Sequence, residues 1–245
     1  MTLSPSRTAP ARSPLGLRGL RAAVAWTHRA SAQARAAALL VEHRQAQTEI
    51  VRNPHLNHDW ANAIVRSPLL LDSVRAAIGP NVSVENTFLV MKWPGRDFTV
   101  PWHQDGIGSR VELDPRRSLA AWIAISDAPA AAGCLDVIAG SHLRGYLPYG
   151  PEADTGQDRG RADAVSEEPE GLPVSIPVKA GKALLMDTRL LHRSCPNTTD
   201  RVRIALNVRY VAPDGIVRRD PTCPSLLPVS GNGWPSAPTE GRDRP

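Results

Sequence analysis

Two kinds of apolar patterning divide the chain. Residues 17–45 form an Ala/Leu/Arg-rich run with helical spacing, and no capping residue marks its start. A second helix is better punctuated: Ser67 before Pro68 suits the N-cap and first helical positions, and Gly79-Pro80 ends the segment. After Pro80 the period shortens. Segments 82–91, 119–126, 135–138, 174–178, 183–186 and 202–211 carry β-branched or alternating apolar residues between turn signals. In 119–126, Leu119, Ala121, Ile123 and Ile125 alternate with Ala120, Trp122 and Ala124. In 202–211, Val202, Ile204, Leu206 and Val208 alternate with Arg203, Ala205, Asn207 and Arg209. Helices first and strands afterwards predict a mainly β fold with flanking helices (α+β), in which an antiparallel sandwich or jelly roll packs on the helices.

The remaining segments read as connections. Residues 1–16 are Ser/Pro/Arg-rich and predict a disordered basic arm ahead of a single domain spanning 17–245, with its β core at about 82–211. Residues 150–171 are acidic, contain glycine and lack large apolar positions, which predicts a lid or a disordered excursion. The tail, 212–245, holds seven prolines in 34 residues and is expected to add no strand.

Composition narrows the class. A chain of 245 residues, 42% hydrophobic and 22% charged, can bury one sizeable core, which excludes a disordered chain, a collagen-like repeat and a disulfide scaffold. No apolar stretch reaches the roughly 18 residues of a membrane-spanning helix. Cys134, Cys195 and Cys223 lack metal-site pair spacing and fit a reducing compartment. The Arg-rich start resembles a transit peptide but has no secretory apolar core, and a cytoplasmic location is expected. The formal charge of +5 suggests nucleic acid, yet residues 1–44 carry seven arginines and one acid while 45–245 carry 22 basic and 23 acidic groups. The body is neutral and has no basic groove, so neither nucleic acid nor a membrane is expected as a partner. The 26 arginines to three lysines, with abundant Ala and Pro, read as the product of a GC-rich bacterial genome.

The chemistry concentrates in Pro101-Trp102-His103-Gln104-Asp105-Gly106. In a strand, His103 and Asp105 point to one face, where an imidazole and a carboxylate can share a metal. His192 follows 89 residues later, and two histidines with one carboxylate form the donor set of non-haem iron(II) oxygenases, with positions left open for cosubstrate and O2. A lone HxD tripeptide is common by chance. Arg203, eleven residues beyond His192 in an alternating apolar strand, adds weight. A buried arginine needs an anionic partner, and its planar fork suits a carboxylate. A structural ion pair at the sheet surface is the alternative; beside a metal triad, an anionic cosubstrate is favoured.

These residues resemble the phytanoyl-CoA dioxygenase family of iron(II)/2-oxoglutarate oxygenases, whose core is a double-stranded β-helix, or cupin-like jelly roll. The resemblance covers roughly 53–213. It rests on His103-Gln104-Asp105-Gly106, on Gly133-Cys134-Leu135 with Gly140-Ser141-His142, on His192-x-Ser194-x-x-Asn197 and on Arg203. Leu69-Leu70-Leu71-Asp72 leading into Ile78-Gly79-Pro80-Asn81-Val82 is similar to the family's helix before the first core strand. The resemblance implies that His103, Asp105 and His192 bind Fe(II). Arg203 would clamp the distal carboxylate of 2-oxoglutarate, with Ser194 adding a hydroxyl. Lys92 sits where relatives place a polar residue near the cosubstrate; a solvent-facing lysine is the other reading. Trp102, Arg110 and Asn86 are candidates for the substrate pocket, although Trp102 also reads as plain core and Arg110, with Arg116 and Arg117, as an exposed charged loop.

The implied reaction consumes O2 and 2-oxoglutarate, releases succinate and CO2, and is stimulated by ascorbate. Halogen-transferring relatives replace the carboxylate ligand with Gly or Ala; here Asp105 is intact, so hydroxylation of a small molecule, a specialised metabolite or an amino acid, is the default. Alternatives are a non-catalytic cupin-like binder and a same-site oxidase performing desaturation, cyclisation, epoxidation or epimerisation. A binder using the basic N-terminus on a carrier protein or nucleic acid is a further rival. His142, in the Gly-Ser-His turn, reads as structural, and His28, His43, His55 and His58 as solvated or helix-packing. The family's usual opening, a short strand and a "dGf"-like segment, has no visible counterpart in 1–50.

Overall fold

Strands that are apolar on both faces must be covered on both sides, and the chain meets this need with two layers around one large sheet. The computed structural model describes residues 19–151 and 164–234. The basic arm expected at 1–16 and the end of the tail lie outside them. The order is β1 (Leu20–Ala25), α1 (Arg29–His43), β2 (Ile50–Arg52), α2 (Pro54–Asn57), α3 (Asp59–Val65) and α4 (Pro68–Ile78). Next come β3 (Val82–Lys92), β4 (Val100–His103), β5 (Ile107–Gly108), β6 (Val111–Leu113), β7 (Ser118–Ala124) and β8 (Leu135–Ile138). The last strands are β9 (Tyr149–Gly150), β10 (Ala164–Val165), β11 (Pro173–Ile176), β12 (Lys182–Met186), β13 (His192–Ser194), β14 (Arg203–Val211), β15 (Ile216–Arg219) and β16 (Leu227–Ser230).

The large sheet has the order β1-β12-β7-β14-β3-β16, with β2 also on β3, and a smaller sheet runs β11-β8-β13-β4; their ladders are antiparallel. One face of the large sheet packs on the helices: Leu119, Ala121, Ile123, Leu206 and Val208 meet Leu39, Leu71 and Val74. The other face packs on the smaller sheet, where Ala120, Trp122, Ala124 and Ala205 meet Leu135, Val137 and Ile176. All seven residues of β7 are therefore buried. Two antiparallel sheets face to face over a shared core make the expected jelly roll.

The ladder between β14 and β3 contains one irregularity that bears on function. Arg209 pairs with Asn86 and Tyr210 with Val84, which leaves Glu85 as an extra residue in β3. Such a bulge points neighbouring side chains the same way. Glu85 and Asn86 both line the interior cavity, while Val84 and Leu89 keep to the helix face.

Several expectations need correction. The run 17–45 is a strand followed by a helix: β1 pairs with β12 from Leu20↔Met186 to Ala25↔Lys182, and α1 starts only at Arg29. Helical propensity is a weak force of tenths of a kcal/mol per residue, about 0.7 at most, and an open sheet edge overrides it. A strand therefore does precede the first helix. Ser67 precedes α4, but its hydroxyl donates to the Trp26 carbonyl (2.7 Å) instead of capping the helix, and so ties α4 to the end of β1. The tail adds two strands: β15 pairs with β6 and β16 with β3. Pro228 is tolerated because β16 is the outermost strand of its sheet, where a missing N–H breaks no ladder. Within the expected 150–171 excursion, β10 pairs back onto β9, and 152–163 lie outside the described residues.

His55 follows the helix-packing rather than the solvated reading. It is buried on α2, with Nδ1 2.8 Å from the Thr87 hydroxyl of β3. Burial pulls its imidazole down to about 4, from an ordinary 6.5. The folded protein keeps this ring neutral while the unfolded chain takes up its proton near pH 6.5. Stability is thus full above that pH and declines as pH falls toward 4, by at most about 3 kcal/mol from this group. Urea unfolding of the wild type and of His55→Gln at pH 7 and pH 4.5 checks this: the variant is expected to lose less stability on acidification.

Candidate metal centre

The two histidines are brought together by strand pairing. β13 lies between β8 and β4, and His192 is the direct cross-strand partner of His103. Their rings meet with centroids 4.0 Å apart. Each ring is held from behind: Nδ1 of His103 is 2.9 Å from the Pro101 carbonyl, and Nδ1 of His192 is 2.9 Å from the Leu190 carbonyl. A carbonyl only accepts, so both Nδ1 atoms carry the proton. In a neutral ring the lone pair is then on Nε2, the tautomer a metal ligand needs.

Asp105 completes the group by a different route from the one expected. β4 ends at His103, and Asp105 sits in the following turn rather than on the strand. The turn is pinned by Gly106, whose N–H donates to Thr188 O (2.9 Å) and whose carbonyl accepts from Leu113 N (2.8 Å). A side chain at Gly106 would collide with the Tyr146 hydroxyl and with Thr188. Tyr146 is itself fixed, donating to the Leu113 carbonyl at 2.7 Å. Gln104 anchors the same corner, donating to the Gly145 and Arg189 carbonyls and accepting from Leu147 N. The Asp105 carboxylate, 1% exposed, then lies 4.0 Å from His103 Nε2 and 3.6 Å from His192 Nε2. One ligand atom from each of the three residues falls within 4.8 Å of the others. A dication bound there would meet two neutral nitrogens and one carboxylate oxygen, a donor set suited to iron(II).

These residues line a cavity of about 190 Å³ shared with Arg203, Ser194, Asn86 and Arg110. Arg203 is 1% exposed. Its Nη2 donates to the Gly133 carbonyl (2.9 Å) and to Ser194 Oγ (3.3 Å), and the guanidinium lies over the Trp122 ring. Among the described residues, Nε and Nη1 have no hydrogen-bond partner and no carboxylate pairs with Arg203. Burial pulls its pKa down to about 9, which still leaves it charged at neutral pH. A buried, uncompensated cation costs several kcal/mol, and two idle N–H groups beside a metal-type donor set fit a bound carboxylate. Gly133 keeps the geometry: its φ is +72°, and a Cβ there would lie 2.2 Å from the Cys195 carbonyl.

Two sequence candidates fall elsewhere. Trp102 precedes His103, so alternation along β4 turns it to the opposite face. There it packs with Ile138 and Leu191 beneath the Arg193 guanidinium, outside the cavity lining. Lys92 is neither solvent-facing nor at the cavity: fully buried, its Nζ donates to the Phe98 and Ser194 carbonyls. It holds the backbone beside Ser194. Of the loop arginines, only Arg110 reaches the cavity; Arg116 pairs with Asp114 and Arg117 with Asp214.

The structure also adds residues. Asn207 Nδ2 donates to Asp105 Oδ1 at 3.0 Å, and Arg209 Nε approaches the same oxygen at 3.5 Å. Glu85, 5% exposed, lies 3.7 Å from Arg209 Nη1 and 3.3 Å from Arg219 Nε. Asn207 and Arg209 were visible as the polar positions of an alternating strand; no local pattern marks Glu85.

The pattern described as Phytanoyl-CoA dioxygenase (PhyH) matches residues 18–205. An Arabidopsis thaliana protein named phytanoyl-CoA dioxygenase is 32% identical over 132 residues, 54% of this chain and 45% of that protein. A Stutzerimonas stutzeri protein named probable alpha-ketoglutarate-dependent hypophosphite dioxygenase is 30% identical over 169 residues, 67% of this chain and 57% of that one. The matches thus span about half the length of these curated relatives. Among solved structures, the apo form of the non-heme monooxygenase ThoJ superposes with a TM-score of 0.68 at 25% identity, covering 88% of this chain and 79% of that one. With its strand order, its His-Asp-His group and a pattern match over most of its length, the chain belongs to the phytanoyl-CoA dioxygenase family.

Proposed function

We propose that the chain is an iron(II)/2-oxoglutarate-dependent dioxygenase that hydroxylates a small molecule. The observation that carries this reading is a three-residue metal-type donor set sharing one cavity with a buried arginine that has two idle N–H groups. His103, Asp105 and His192 hold the iron, and Arg203 with Ser194 takes the distal carboxylate of 2-oxoglutarate. Bound iron supplies the oxidising power: one O2 and one 2-oxoglutarate are consumed, one oxygen atom enters the substrate C–H bond, and succinate and CO2 leave. The protein contributes placement and dryness. Trp122, Leu135 and Val100 line the cavity and limit water around the carboxylate site. Asn207 and Arg209 fix the rotation of the Asp105 carboxylate. An intact carboxylate at 105 favours hydroxylation over halogen transfer.

Three measurements test this reading. His103→Ala, Asp105→Ala and His192→Ala are each expected to lose Fe(II) binding and uncoupled succinate formation; wild-type iron occupancy in all three would refute it. Arg203→Ala is expected to raise KM for 2-oxoglutarate by about 100-fold with Mn(II) affinity unchanged, since the clamp touches the cosubstrate and not the metal. Asn207→Leu should weaken Mn(II) binding about tenfold without lowering the melting temperature comparably, as removal of a ligand-orienting hydrogen bond does. Calorimetric titration reads that last effect without any turnover.

A further inference from the structure

The charge lining the cavity identifies the class of substrate. Among the described lining residues four are cations, Arg52, Arg110, Arg203 and Arg209, and two are acids, Glu85 and Asp105. Both histidines count as neutral once their Nε2 atoms ligate the metal. On the iron/2-oxoglutarate reading, on which this inference rests, the metal dication and the 2-oxoglutarate dianion cancel one another. The loaded cavity therefore keeps a positive excess.

That excess has an address. Arg209 is balanced between Asp105 and Glu85, and Glu85 is shared with Arg219. Arg203 is committed to the cosubstrate. Arg52 and Arg110 remain. Both are exposed while lining the cavity, which places them at its opening. Arg52 ends β2, opposite Phe88 in β3, and makes no side-chain hydrogen bond or ion pair among the described residues. Arg110 follows the β5 strand and is held by one bond to Thr222 Oγ1 (2.7 Å), whose hydroxyl donates in turn to Asp220 (2.6 Å). That chain orients the guanidinium, and the Asp220 carboxylate at its end offsets part of the charge without a direct ion pair. The cavity lining also offers apolar side chains, among them Phe88, Val90, Ile107 and Pro224.

We propose that the substrate is an organic anion with a hydrocarbon body: its carboxylate or phosphate group sits at Arg52 and Arg110, and its body lies along Phe88, Val90 and Ile107 toward the triad. Two guanidinium forks at a partly enclosed opening favour a charged over a neutral head group of equal size, and salt weakens that preference because the site is open to solvent.

Calorimetric titration of the full chain loaded with Mn(II) and 2-oxoglutarate tests this, with octanoate, octyl phosphate and the neutral octanamide as probes. Either or both anions are expected to bind about tenfold tighter than octanamide, and the stronger of the two names the head group. The preference is expected to vanish in Arg52→Gln/Arg110→Gln and to shrink as salt rises. Equal binding of octanamide, no binding by any probe, or a preference that persists in the double variant overturns the proposal. Loading with Mn(II) and 2-oxoglutarate is titrated first and separately. A chain that loads but shows no anion preference loses this inference and keeps the oxygenase reading. A chain that fails to load, yet prefers anions through Arg52 and Arg110, loses that reading alone.

Discussion

The structure depends on the period of two along β14. This inner strand is covered on both sides, so every residue has an assigned face. Ile204, Leu206, Val208 and Tyr210 enter the core beneath the helices. Arg203, Asn207 and Arg209 are thereby turned into the cavity. Burying each large aliphatic side chain contributes about 1.5–3 kcal/mol, so the apolar set has the strength to fix the register. The polar set, which includes a buried arginine that costs energy, is aimed as a consequence. A slip of one residue would exchange the two faces and place an arginine against the helices.

The smaller sheet solves a complementary problem with fewer residues. β13 and β4 are short, yet their pairing makes His192 and His103 direct partners. Backbone carbonyls two residues earlier then choose the tautomer of both rings. Glycines perform the closest approaches. Gly106 lets the Asp105 turn press against Tyr146 and Thr188, and Gly133 brings its carbonyl under Arg203. The sequence motifs containing these two glycines are thus packing instructions as much as chemical ones.

How much of this was legible follows from where the information lies. The strands β3, β7, β8, β12 and β14 announced themselves because several alternating or β-branched residues fall within each. The pair of histidines and Arg203 stood out through residue type and spacing. β1 did not, because Leu-Arg-Ala-Ala-Val-Ala favours a helix locally and becomes a strand only when β12 offers its edge. β16 was hidden by Pro228, harmless at an edge. Glu85 was invisible for a different reason: a bulge is a property of two strands in register, and neither strand alone encodes it. The placements of Trp102 and Lys92 turned on one-residue parity and on a distant carbonyl, neither of which spacing reveals.

The pairing of β1 with β12 has a consequence for the order of assembly. Leu20 lies opposite Met186, so the first described strand finds its partner only after most of the polypeptide has been made. Until then its backbone groups have no ladder and the neighbouring edge of the large sheet stays open. Chains dominated by such distant pairings fold slowly, because loop-closure entropy must be met before the contacts form. During synthesis the helices can collapse early, while the apolar face beneath them waits for β12 and β14. In that interval the exposed apolar face and the unpaired strand edge are the kind of surface on which chains aggregate.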